Sequence, residues 1–181
     1  MSAPWRKPFE TALARNAPQT EVQVATVSSE GVPSVRTVLL RGFSAEGLPY
    51  FFTDLRTRKA NHLAENPRIA LLAWFPKTAE QFRLTGRATV HGWRAEGAWA
   101  ALRRHSWELL AEDDRLTYVG PPPGRTFVDR APSVTPPAPP QEFLLVTIDV
   151  TECDWLAVGP PRTRAEFRLL GAGWVQQSLT P

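Results

Sequence analysis

The chain has 181 residues, enough for one domain with a sizeable apolar core and no covalent staples. Its single cysteine, Cys153, excludes an intramolecular disulfide and reads as a small buried apolar residue, while the three histidines lack ligand spacing, so no metal site is expected. The formal net charge of +3 is modest, and its cations lie among apolar strands rather than on a basic helix, so no nucleic-acid module is indicated.

The opening stretch places Trp5, Phe9, Leu13 and Ala14 at helical intervals, which predicts a short amphipathic helix lidding one end of a barrel. Val22, Val24 and Val27 begin a strand, Ser29-Glu30-Gly31 is a turn, and Ser34 to Arg41 is the return strand of a hairpin. A turn at Ser44 to Gly47 leads into an aromatic strand from Pro49 to Thr53. Arg58 to Asn66 reads as a short helix that must end before Pro67, because proline restricts the residue preceding it.

Ile69 to Trp74 reads as a buried strand, and Glu80 to Trp93 as a long one with bends or bulges at Gly86 and Gly92. Arg94 to Leu110 returns to helical spacing, with Trp99, Leu102, Trp107 and Leu110 facing a core. The Pro-rich stretch at about 120–140 is read as a surface excursion of the same domain. Phe143 to Val150 is a strand, and Ala165 to Ser178 a closing hairpin. Short strands with a few peripheral helices predict a mainly β (α+β) fold, an antiparallel barrel. The N-terminus lacks the apolar core of a signal peptide and no run is long enough to span a bilayer, so the expectation is a cytoplasmic protein with no membrane partner.

Three segments carry chemistry: Arg36-Thr-Val-Leu-Leu-Arg41, the pair Phe52-Thr53 followed by Arg58-Lys59, and Gln81 on the long strand. In order and spacing they resemble the flavin mononucleotide (FMN) site of the pyridoxamine 5'-phosphate oxidase-related split barrels. The resemblance runs from about Val22 to Val90. Arg58 and Lys59 sit where a strand gives way to a helix, a place where cations and free N–H groups can converge on a phosphate. The resemblance makes that pair the phosphate clamp and runs the backbone of Arg36, Thr37, Val38, Leu39, Leu40 and Arg41 along the flavin edge. It also gives Thr53 and Gln81 polar contacts, and assigns Trp155 and Arg164 the completion of the site.

On the substrate side the chain departs from the oxidases. Arg41 replaces a lysine, and Trp99, Arg103 and Trp107 stand where the family has tyrosine, arginine and serine around the substrate phosphate. The family's Arg-Leu-His motif is replaced around Pro160-Pro-Arg162. These departures resemble the bacterial oxidase-related subgroup without an assigned substrate rather than a true pyridoxamine phosphate oxidase. The implied protein is a homodimer with FMN at the interface, exchanging hydride with a small substrate at flavin N5, with Arg41, Trp99 and Arg103 lining the substrate. No protein nucleophile or general base is required in such a site, so no catalytic residue is assigned. The alternative is a non-catalytic binding module, a sensor or store for flavin or another ligand.

Overall fold

A computed structural model of the protein describes residues 3–124 and 134–181. The central part of the Pro-rich stretch lies outside the described residues. In chain order the elements are α1 (Arg6–Arg15), β1 (Glu21–Val27), β2 (Pro33–Phe43), β3 (Pro49–Asp54), α2 (Arg58–Glu65), β4 (Arg68–Phe75) and β5 (Glu80–His91). Then follow α3 (Gly97–Leu109), α4 (Glu112–Val119), β6 (Phe143–Ala157), β7 (Thr163–Leu170) and β8 (Gly173–Leu179).

Every strand pairing is antiparallel, in the order β3-β2-β1-β4-β5-β6-β7-β8, and β3 also pairs with β6 from Tyr50↔Thr147 to Asp54↔Phe143. That second pairing closes β1 to β6 into a six-stranded barrel and leaves β7 and β8 as a flange carried by the second half of β6. The protein is a split β-barrel, as expected. Gly86 marks a register shift between β5 and β6, and a Cβ there would run into the Asp149 carbonyl, so only glycine lets the strands approach at the bend.

Alternation fills the barrel: Val22, Val24, Leu40, Phe51, Leu71, Phe75, Phe82 and Leu84 are buried inside it. Helix α1 closes one end with Trp5 and Phe9, and the Phe9 ring meets Phe82 edge-on at 5.1 Å and Phe75 at 5.4 Å. The expected lid is there. Strand β4 departs from its expectation of full burial: Ile69, Leu71, Ala73 and Phe75 point inward while Arg68, Ala70 and Trp74 face out. No described element covers that outer face. None of the helices among the described residues is long and apolar enough to cross a membrane.

A second apolar cluster forms where α3 and α4 lie on the outer face of β3 and β6, joining Trp107, Leu110 and Phe143 with Phe52 and Tyr118. Helix α3 starts at Gly97 rather than Arg94 and buries Trp107, while Trp99 and Leu102 are only half-buried. Helix α4 was not expected. Its signal is the acidic run Glu112-Asp113-Asp114, which places negative charge on the first turn where the helix dipole favours it.

The latch between α4 and the barrel is ionic. The Asp54 carboxylate accepts from the Arg56 backbone N–H at 2.7 Å and from its guanidinium at 2.6 Å. The same guanidinium donates to the carbonyls of Gly120 at 2.7 Å and Tyr118 at 3.1 Å. Asp54 is buried, so Asp54→Ala leaves Arg56 without its counter-charge. Urea unfolding should show a loss of about 3 kcal/mol, the low end for a broken buried pair, because Arg56 keeps some contact with water. A loss under about 0.5 kcal/mol would mean that the latch carries no stability.

Candidate cofactor site

The split of the barrel is visible in the pairing of β2. Residues Pro33 to Leu39 pair with β1, but β3 joins β2 only from Leu40 onward and then turns away through Asp54 into α2. Among the described residues nothing pairs with the other edge of β2 between Pro33 and Leu39. Its backbone N–H and C=O groups therefore face a slot bounded by the end of β3 and the start of α2. Of the motif's side chains, Val38 and Leu40 point into the core, while Thr37, Leu39 and Arg41 point out.

Arg36 is held at the mouth of this slot. Its Nη1 donates to the Val24 carbonyl at 3.1 Å and to Thr26 Oγ1 at 2.9 Å, and its Nη2 donates to Ser34 Oγ at 2.8 Å. These acceptors use both Nη1 hydrogens and one on Nη2. Nε and the remaining Nη2 hydrogen meet no partner among the described residues, so donors remain for an anion.

The start of α2 completes the cluster. Thr57 at the N-cap caps no helix N–H with its side chain; its hydroxyl donates to the Asp54 carbonyl at 2.7 Å and lies 3.2 Å from Thr53 Oγ1. The first-turn N–H groups of Arg58 and Lys59 are left open to a ligand. Lys59 is half-buried, and burial pushes its pKa below the usual lysine value, with the Arg36 cation pushing the same way and Asp54 offsetting part of it. Neither Arg36 nor Lys59 forms an ion pair among the described residues. Two desolvated cations facing one another beside a helix N-terminus repel until an anion lies between them, and a phosphate dianion fits that need. Arg58, adjacent in sequence, is exposed.

Gln81, Trp155 and Arg164 lie elsewhere in the chain. Gln81 and Arg164 both pair across to Leu156 of β6, and three strand spacings, about 14 Å, separate β5 from β2 along the sheet. Trp155 stacks on Phe82 with ring centroids 6.0 Å apart and donates from Nε1 to Glu80 at 3.0 Å. Arg164 pairs with Asp154 at 2.8 Å, a carboxylate that Arg83 also holds. Burial works to raise the Asp154 pKa, but the two arginines hold it below the usual value. Between the two clusters runs an open cleft of about 540 Å³ on the outer sheet face, lined by Ala25, Val35, Ala70, Leu72, Arg83 and Arg164.

The family model described as pyridoxamine 5'-phosphate oxidase, FMN-binding domain, matches residues 2–92, which take in β2, β3, α2 and β5. The chain belongs to this FMN-binding family. It is 42% identical over 84 residues to a pyridoxine/pyridoxamine 5'-phosphate oxidase of Nostoc sp., a match covering 46% of this chain and 39% of that relative. Thus the match spans well under half the length of that curated relative. The pyridoxine/pyridoxamine 5'-phosphate oxidase 2 of Arabidopsis thaliana is 29% identical over 194 residues, covering 99% of this chain and 98% of the relative. The crystal structure of a pyridoxamine 5'-phosphate oxidase-related, FMN binding protein from Nostoc punctiforme superimposes with a TM-score of 0.92 at 30% identity, covering 100% of both chains.

Arg103 was expected to meet a substrate anion, but it is buried and donates from Nε to the Phe143 carbonyl at 2.8 Å and from Nη2 to the Pro139 and Pro140 carbonyls. Nη1 meets no partner among the described residues, while the Nε and Nη2 donors hold residues 139–143 against α3. Trp107 does the same, donating from Nε1 to the Pro136 carbonyl at 3.2 Å. Trp99 lies against His91, ring centroids 4.3 Å apart, and His91 is in turn 2.9 Å from Thr147 Oγ1. Arg41 is exposed and lies 5.1 Å over the Phe52 ring. Burial pushes the nearby Tyr118 hydroxyl up to about 12, with Arg41 working against it.

Sequence reasoning missed Thr26, Ser34 and Thr57, which hold Arg36 and the start of α2. The spacing of Ser34 and Arg36, two apart on one strand face, was the available signal for the first contact of the Arg36 fork.

Proposed function

We propose that the protein is an FMN-dependent oxidoreductase that works as a homodimer on a small, anionic substrate. The observation that carries this reading is the pair of half-buried cations, Arg36 and Lys59, beside the open edge of β2. In it Arg36, Lys59, Thr53 and the start of α2 hold the phosphate, Arg58 adds a screened outer charge, and the free backbone of Thr37 to Leu39 lines the ring edge. FMN, when bound, supplies hydride exchange at N5, which the side chains of the chain do not. Arg41, exposed beside Phe52, is the accessible cation for the substrate, with Arg103 behind it on α3.

A second copy supports the same site from outside. Gln81 lies about 14 Å along the sheet from β2, with Trp155 and Arg164 one and two strands further on, and the outer face between exposes Val35, Leu39 and Trp74. Pairing two such faces would cover apolar surface and bring one copy's Gln81 and Arg164 toward the other copy's Arg36. Residues 1–181 then act as one domain in the cytoplasm, with Pro136, Pro139 and Pro140 held against α3. If the cofactor site is shared, FMN binding and association are linked by mass action, so FMN should raise the melting temperature and hold the dimer together on dilution. Sedimentation that shows a monomer binding FMN with full affinity would rule out the shared site.

Lys59 makes the affinity pH-dependent. Its folded pKa is lowered, so in the ligand-free protein it loses its charge below the usual lysine range, and the bound dianion favours the protonated form. FMN affinity should therefore fall as pH rises toward the usual lysine range, with proton uptake on binding. Riboflavin carries the same ring without the phosphate, and calorimetry should show no matching fall for it. Parallel profiles for the two ligands would remove Lys59 from the phosphate site.

Turnover is tested by mixing the FMN-loaded protein with a nicotinamide donor without oxygen and then admitting air. Bleaching of the flavin absorbance followed by its return is the expected result. A bound flavin that no donor reduces would support the non-catalytic binding module instead.

A further inference from the structure

The Arg36 fork is itself set by a second layer of contacts. Thr26 Oγ1 is buried and accepts from Arg36 Nη1 at 2.9 Å; an arginine has no acceptor, so the direction of this bond is fixed. The hydroxyl hydrogen of Thr26 is then free to point at His62 Nδ1, 3.0 Å away. That assignment makes Nδ1 the acceptor and places the imidazole proton on Nε2. His62 stands three residues after Lys59 on α2, close to one helix face with it. A continuous chain, His62 to Thr26 to Arg36, thus ties α2 to β1 and β2 at the point where two of the cations are carried.

We propose that Thr26 and His62 are positioning residues for the FMN phosphate: the Thr26 hydroxyl orients the Arg36 fork, and His62 orients that hydroxyl. The proposal rests on the reading that Arg36 meets the phosphate. Without the hydroxyl, Arg36 loses one of three fixed acceptors, and its free donors no longer point at a single place. Without the imidazole, the Thr26 hydrogen loses its acceptor and the hydroxyl is free to turn away from Arg36.

The test measures FMN and riboflavin affinities for the full chain and three variants, Thr26→Val, Thr26→Ser and His62→Leu. Riboflavin is read by competition against bound FMN where direct titration is too weak. Thr26→Val keeps the side-chain volume and should weaken FMN about tenfold while changing riboflavin less than twofold. Thr26→Ser should restore most of the FMN affinity, and His62→Leu should cost FMN a few-fold and riboflavin nothing. Equal losses for both ligands would make Thr26 merely structural and overturn the proposal, as would unchanged FMN affinity in Thr26→Val. If Thr26→Val fails to fold, the His62→Leu and Thr26→Ser results decide by the same criterion. Arg36→Ala in the same series separates the two levels: if it leaves FMN affinity intact the phosphate clamp itself fails, whereas a loss there without one in Thr26→Val sinks only the positioning role.

Discussion

Arg36→Ala combined with Lys59→Ala is expected to yield protein that purifies largely without flavin, with FMN affinity reduced about 10²- to 10⁴-fold. Each charge-assisted bond to a dianion contributes roughly 1.5–3 kcal/mol net, and about 1.4 kcal/mol is tenfold in affinity, so losing two gives that range. The ligand-free fold should survive the change, because in the absence of an anion the two cations repel each other. Arg58→Ala alone should cost much less, since Arg58 is exposed and its charge is screened. Titration of the three proteins with FMN checks the order. An Arg58→Ala loss larger than that of the double variant would move the clamp outward to the helix surface.

The second large effect concerns the substrate. FMN-loaded protein is expected to oxidise pyridoxamine 5'-phosphate at least roughly three orders of magnitude more slowly than a genuine oxidase run alongside, because groups that would hydrogen-bond the substrate phosphate are missing. By the resemblance, Trp99 and Trp107 take the positions of hydroxyl-bearing residues, and Trp107 is fully buried against Phe143. Arg103, the one matching cation, donates to backbone carbonyls of the chain itself. Steady-state formation of pyridoxal 5'-phosphate is the measurement. Turnover comparable to the control would return the substrate assignment to the parent oxidases.

Much of the barrel was legible because its physics is local. Alternation in Glu80–Val90 sets which side chains point inward, as do Val22 and Val24 at the start of β1, and the turns after Ser28 and Ser44 fix the hairpins. The Arg58-Lys59 pair was legible as the start of a helix after a strand. What was not legible is which of the two cations lies inward: Arg58 and Lys59 look alike in sequence, and only the rotation of α2 against β1 half-buries Lys59 and exposes Arg58. The backbone contacts of Arg103 were hidden for a related reason. A cation on an apolar helix face reads as an anion site, but the carbonyls that receive it come from a segment about forty residues on, which periodicity cannot see. Likewise Arg56, read as one more dispersed cation, is the centre of the latch to α4.

The slot between β2 and α2 is expected to hold FMN. Mass spectrometry of the ligand released from protein purified in its native state, then stripped and reloaded with a mixture of FMN, FAD, riboflavin and haem, tests it most directly. FMN is expected both as purified and after competition, in stoichiometric amount, and should be lost in the Arg36→Ala, Lys59→Ala variant. Retention of haem or riboflavin in preference to FMN, or FMN retained undiminished by that variant, would contradict it.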